Sequence, residues 1–240
     1  MSQIQIDTDV SVDASTDFAD LARRALRGEA GIALQSDQAP LDWLERAYER
    51  LRPTPALAAS LSRAVAGCLT DPAAKLRAQA LMFFEKHPDA AGHDLVLAAA
   101  KQHRPLFRGI PNPFQDSVPL EWQLFRTLGA LALKGDADAL ALAYAEALRP
   151  TGQGGALIAA LTRLDPNWVA VHAEEIVKAD PTTAGPLLIN LQGSPIDVGD
   201  VGERIAPLVV DEPMFRSLAE MIDDTTTRRR ILARLPTAAP

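Results

Sequence analysis

His87, His93 and His103, three of the four histidines of the chain, fall within 17 residues. A helical metal site sets two histidines four apart, so that both imidazoles face one side. Here the spacings are six and ten. No cysteine and no tight carboxylate cluster joins them, so no metal is expected. Asp7, Asp9 and Asp13 are spaced like half of a calcium loop, but the central glycine and terminal glutamate such a loop needs are missing. Gly152-Gln153-Gly154-Gly155 precedes a helix-like run, where main-chain N–H groups can hold an anion. No Lys-Ser or Lys-Thr follows, so it lacks the phosphate-binding lysine of a nucleotide loop and reads as a turn between helices. Cys68 follows Leu61 and Val65 at helical spacing, which marks a buried structural thiol and not a nucleophile. His172, between Val171 and Ala173, reads as structural. There is no Gly-x-Ser-x-Gly elbow. Glu174-Glu175 and Asp223-Asp224 are adjacent, and adjacent helical residues diverge instead of facing one another. No residue emerges as catalytic, and no cofactor is implied.

The segment from His103 to Pro119 carries a different chemistry. Its four prolines forbid a continuous helix. It also holds Leu106, Phe107, Ile110, Phe114 and Val118, which a solvated linker would not. Arg104 and Arg108 alternate with the aromatics, Asn112 sits at the centre, and Trp122 lies just beyond. Arginine among aromatics is the composition of protein-binding hot spots. Arg104, Phe107, Arg108, Asn112, Phe114 and Trp122 are therefore the candidate partner-binding residues. The alternative is that these side chains tuck inward and bridge a gap between helices.

The elements that must position them follow from composition and periodicity. Hydrophobic residues make up 48% of the 240 residues, and aromatics only 5%. Alanine and leucine dominate, and both are strong helix formers, so the expected class is all-α. The formal net charge is −7. An acidic chain repels phosphate backbones unless its basic residues cluster on one face, so nucleic acid is an unlikely partner. The one tight basic run, Arg228-Arg229-Arg230, directly follows Asp223-Asp224. Opposite charges so close cancel at a distance, and the run reads as the solvated end of the last helix. A single cysteine permits no internal disulfide, which fits a reducing compartment. No stretch approaches the ~20 apolar residues that span a bilayer. The expected location is the cytoplasm.

Residues 1–13 stand apart. Ile4, Ile6, Val10 and Val12 alternate with polar residues at a period of two, which reads as a strand with one apolar face. With no second strand expected elsewhere, the segment is a loose tail, a strand for another chain, or an arm packed on the first helix. Residues 14–240 read as helix after helix. Ser15 or Thr16 can cap a helix carrying Phe18, Leu21, Ala25 and Leu26, with Gly28 at its left-handed end. A second helix runs from about Pro40 to Leu51. Thr54-Pro55, Asp71-Pro72, Asp165-Pro166, Asp180-Pro181 and Glu212-Pro213 mark further starts, because proline at the first helical position loses no hydrogen bond. Pro186 should leave its helix short or broken. Leu128–Leu133 and Ala139–Ala143 are apolar on most sides and need neighbours on two faces. About a dozen short helices result, pairing at a spacing of roughly 30 residues, as in a solenoid.

Within this pattern Asp71-Pro72-x-x-x-Leu76-Arg77 resembles the turn and second-helix start of a HEAT repeat. Asp165-Pro166 with Val171 repeats the turn without the arginine, and Asp136-Ala137-Asp138 followed by Leu140 and Leu142 is a fainter echo. The short spacing is similar to the HEAT repeats of phycobilisome-lyase-like proteins. The resemblance implies a right-handed α-solenoid of stacked helix pairs, one domain over residues 14–240 interrupted by the proline-rich segment 103–119. It implies that Asp71 and Arg77 belong to a ladder along the solenoid, and that the protein is a scaffold, adaptor or inhibitor. The leading expectation is a non-catalytic interaction module for a basic protein partner, such as a bacterial immunity protein binding a toxin. HEAT-like alkylpurine DNA glycosylases suggest a second reading, with Trp122, Trp168 and Asp116 available at a groove. A third is a structural subunit of a larger assembly, to which residues 1–13 add a strand.

Overall fold

The computed structural model describes residues 3–7, 10–29, 39–150, 153–209 and 212–236. Asp9 and Gly152, named above, lie outside them. The described residues form fourteen α-helices and two short β-hairpins, so the chain is all-α in class. They divide into two compact units, Met1–Lys134 and Gly135–Pro240.

The first unit opens with an antiparallel hairpin, β1 (Ile4–Asp7) and β2 (Val10–Val12). The period-two alternation is real, but one long strand was expected and two short ones form. The partner strand lies inside the segment itself. Ile6 and Val12 are buried, and Arg50 donates from Nη1 to the Ile6 carbonyl at 2.7 Å. The arm thus packs on the second helix, not the first. α1 (Phe18–Arg27) begins at Asp17, whose carboxylate accepts from the Ala19 and Asp20 N–H groups. Aspartate displaces the Ser15 or Thr16 cap expected, and it also meets the positive end of the helix dipole. Gly28 ends α1 with φ of 69°, a conformation glycine adopts at no steric cost. α2 (Ala39–Leu51), α3 (Pro55–Gly67), α4 (Ala74–Lys86) and α5 (His93–Gln102) follow. The hairpin of β3 (Pro111–Asn112) and β4 (Gln115–Pro119) then leads into α6 (Leu120–Leu133). The core of this unit is built on large rings. Trp43, Phe83, Phe84 and Phe125 are fully buried, and Phe83 meets Tyr48 and Phe84 edge-on at 5.3 Å.

The second unit contains α7 (Ala137–Ala147), α8 (Gly154–Leu164), α9 (Pro166–Val171), α10 (Ala173–Ala179), α11 (Ala184–Leu191), α12 (Val198–Ile205), α13 (Glu212–Ala219) and α14 (Thr225–Leu232). Asp136, Asp165, Asp197 and Asp224 each accept main-chain N–H bonds at a helix start. Pro186 sits in the first turn of an eight-residue helix, as its position requires. The helices here run shorter than the sequence suggests, down to six residues in α9. α7 also departs from expectation. Only Ala139, Ala143, Glu146 and Ala147 are buried, while Leu140 and Leu142 are half-buried and Ala141 is exposed, so it is covered on one face. The core is aliphatic, with Leu157, Leu161, Leu187, Leu188, Leu191 and Ile205 fully buried.

Small residues let these short helices approach closely. A Cβ on Gly202 of α12 would lie 2.5 Å from Ile231 Cδ1 and 3.2 Å from Leu188 Cδ2. Gly202→Ala should therefore lower stability by ~1 kcal/mol, the overpacking of a filled core exceeding alanine's better helix propensity. Adding Ile231→Val should recover part of the loss, which urea unfolding of both variants would measure.

Candidate interaction surface

The proline-rich segment is not a loop. His103 ends α5, Arg104–Leu106 form one 3₁₀ turn, Gly109 reverses the chain at φ of 70°, and residues 111–119 make a hairpin. Prolines define its shape. Pro111 pairs with Pro119 at its base, where the register shifts. The Asn112 side chain accepts from the Phe114 N–H at 3.0 Å, closing the tip as an Asx-type turn. The Leu120 N–H donates to the Ile110 carbonyl at 2.9 Å, which ties the hairpin to the start of α6.

Three of the six residues expected to meet a partner are used to hold this hairpin in place. Phe107 has no exposed surface. The guanidinium of Arg77 lies over its ring, 5.8 Å from the centroid. Arg77 is itself 4% exposed and donates from Nη1 to the Asp71 and Pro72 carbonyls at 2.7 and 2.9 Å. Burial pulls its pKa below the usual arginine value. The Asp71 carboxylate is engaged elsewhere, capping the Ala73 N–H at 2.9 Å, and α4 begins at Ala74 instead of Pro72. Leu76, from the same motif, is buried. Arg104 is the second anchor. It forms an ion pair with Glu121 of α6 in which both side chains are largely buried, and its guanidinium lies 5.0 Å over Phe125. Asn112 is also buried. Phe107, Arg104 and Asn112 are thus corrected from contact residues to supports. Each had a nearer partner in α4, α6 or the turn itself.

The remaining three face outward. Arg108 is exposed and Phe114 is half-buried at the hairpin tip. Trp122 is half-buried beneath Arg126, whose guanidinium sits 5.3 Å from the indole and pairs with Glu85. Glu85 also accepts from Gln123 at 2.5 Å. Leu106, from the same segment, is 36% exposed. Glu85, Glu121 and Arg126 were missed. Nothing in the local pattern shows that charges some forty residues apart share one helix contact.

The other chemistry-bearing residues are scattered. His87 packs against Tyr48 and Phe83 at 5.0 and 4.9 Å, with Nδ1 3.6 Å from Glu49. His93 bonds the Ala90 carbonyl, and His103 is exposed. Among the described residues no group of three or more histidines, cysteines and carboxylates is placed to hold a metal. Cys68 is buried, and burial raises its thiol to about 11, which suppresses the thiolate. In the second unit Trp168 stacks on His172 at 4.4 Å and meets Tyr144 at a tilt at 4.3 Å. The Tyr144 hydroxyl donates to Asp165 at 3.4 Å, the residue that caps α9. The four-residue spacing of Trp168 and His172 is the signal that could have found this stack. Asp116 is exposed on β4. Arg230 of the basic run pairs with Glu203 of α12 at 2.5 Å, so it is not merely solvated.

No helix of the described residues is long and apolar enough to cross a membrane. No protein-family model, curated protein or solved structure matches the chain.

Phe107→Ala should cost ~3–5 kcal/mol, because it removes a fully buried ring and uncovers a buried guanidinium. Phe114→Ala should cost less than ~1 kcal/mol, and urea midpoints of the two variants test the contrast. Burial is the largest cause of a lowered His87 pKa, and Glu45 and Glu49 pull the other way. The unfolded chain therefore takes up the proton first. Stability should be complete above pH 6.5, the ordinary histidine value, and fall as pH drops below it. Melting temperature measured from about pH 7.5 to about pH 5.5 should show the decline, and His87→Gln should flatten it.

Proposed function

We propose that the chain is a non-catalytic protein–protein interaction module, a scaffold, adaptor or inhibitor that binds a basic protein in the cytoplasm. The observation that carries this reading is the braced hairpin of residues 111–119. The buried Arg77 and the largely buried Arg104 hold the turn that leads into it, through Phe107, Glu121 and Phe125, with the exposed Arg108 just before the hairpin and the half-buried Phe114 at its tip. A rigid support behind an arginine and an aromatic lowers the ordering cost of binding and matches the make-up of interface hot spots. The net charge of −7 favours a basic partner through steering.

The HEAT-like reading belongs to the same proposal. Helices two apart in the sequence pack on one another, as α1 does on α3, α4 on α6, α11 on α13 and α12 on α14. That is the neighbour relation of stacked helix pairs, and it supports a short, irregular solenoid of the HEAT kind. Arg77 bonding its own turn's carbonyls makes the repeat a self-contained unit.

A tagged chain in lysate of its own source should retain one protein in stoichiometric amount. Arg108→Glu combined with Phe114→Ala should reduce that capture about tenfold while leaving the melting temperature unchanged. Equal capture by the variant would remove the hairpin from the interface, and no stoichiometric partner for the native chain would reject the reading.

A further inference from the structure

The acidity of the chain is unevenly distributed. The second unit, Gly135–Pro240, has 15 Asp and Glu against 9 Lys and Arg, a net of −6, whereas the first has 16 against 15, a net of −1. Most of the chain's attraction for a basic partner therefore lies in the second unit. That unit contains an open groove of about 540 Å³ between the end of α9 and the start of α12.

The groove combines an apolar seat with an acidic mouth. Val171, the last residue of α9, is 70% exposed, an unusual position for a valine that no neighbour covers. Ile196 is half-buried beside it and Val201 forms the wall behind. Asp197 and Asp200 stand exposed at the rim. Asp197 caps α12 through the Gly199 and Asp200 N–H groups, which keeps its carboxylate in place. Among the described residues Arg204 is the one cation lining the groove, and it is already engaged. Its Nη2 donates to the Ala170 carbonyl at 2.6 Å, its Nε lies 3.4 Å from Asp200, and its Nη1 lies 3.6 Å from Glu174, which Lys178 also approaches at 3.7 Å. Arg204 thus braces α9 against α12, and its pairing with Asp200 offsets the charge of both. Asp197 then gives the mouth its negative sign.

We propose that this groove is the docking seat for a basic segment of a protein partner. An aliphatic side chain of that segment enters between Val171, Ile196 and Val201, and lysine or arginine neighbours lie along Asp197 and Asp200. The proposal deepens the interaction-module reading and rests on it for the partner's class. The groove supplies desolvation for the anchor, and the rim supplies sign selectivity. Neither feature alone would distinguish a basic amphipathic segment from a merely cationic or merely apolar one.

The test uses the full chain and three synthetic peptides with blocked ends: Lys-Leu-Lys-Leu-Lys, Lys-Ser-Lys-Ser-Lys and Glu-Leu-Glu-Leu-Glu. Methyl NMR should show saturable shifts of Val171, Ile196 and Val201 with the Lys-Leu peptide. The Lys-Ser and Glu-Leu peptides should bind at least about tenfold more weakly. Val171→Ser, at an exposed position, and Asp197→Asn, which retains the cap, should each weaken Lys-Leu binding severalfold. No shift of these methyls with Lys-Leu, or equal shifts with Lys-Ser, would overturn the groove. The hairpin variant Arg108→Glu/Phe114→Ala leaves the groove intact and should bind the Lys-Leu peptide normally. Failed capture from lysate would reject the module reading, while normal peptide shifts in the same preparation would still support the groove as a seat for a basic segment. Intact hairpin-dependent capture without peptide shifts would overturn the groove alone.

Discussion

The buried guanidinium of Arg77 holds the first unit in its observed form. A charged group with 4% exposure is costly unless its donors are paired. Two main-chain carbonyls of its own turn accept from Nη1 and the ring of Phe107 covers the group, while the buried Nε makes no hydrogen bond. The consequence extends past α4. Once Arg77 is committed to the Asp71–Pro72 turn, Phe107 must cover it, and the chain after α5 must come back to deliver that ring. Arg104, three residues earlier, then reaches Glu121 and Phe125 on α6. Two cation–ring contacts and one largely buried ion pair hold the turn at residues 104–107, from which the chain enters the hairpin.

The second unit solves a different problem with other means. Its helices are too short to be stable by themselves, and it has few aromatic rings to bury. Aspartate caps at four α-helix starts satisfy N–H groups that would otherwise be orphaned. Glycines at helix contacts let aliphatic side chains interdigitate at close range, with Gly202 against Ile231 and Gly185 against Leu218. These four caps are among the 15 carboxylates of the unit, and its net charge of −6 reflects chiefly its nine lysines and arginines, against 15 in the first unit.

Much of the fold was legible in single residues. Gly28, Pro186, Asp165-Pro166 and the span of α2 act through their own backbone geometry, and local geometry is what a sequence displays. The segment 103–119 was legible in composition and not in placement. Composition marked Arg104, Phe107, Arg108 and Phe114 as an unusual set, but it did not separate anchors from exposed residues. Phe107 and Phe114 are the same residue type in the same segment. Only the presence of Arg77 beneath one of them, thirty residues away in sequence, makes it a support. The N-terminal arm was legible in period and not in topology, since a turn within the alternation looks like continuity.

The sequence by itself determined the class, the helix starts, the breaks at proline and the total charge, because these depend on propensity, capping and composition. The tertiary structure alone decided which arginines are buried, which aromatics face water, and that the groove beside Val171 exists. Those properties depend on which surfaces meet across long separations, and a one-dimensional pattern carries no record of that. Asp71-to-Arg77 shows the division within seven residues. Its spacing announced a turn and a helix, and its arginine acquired a role only when Phe107 was folded onto it.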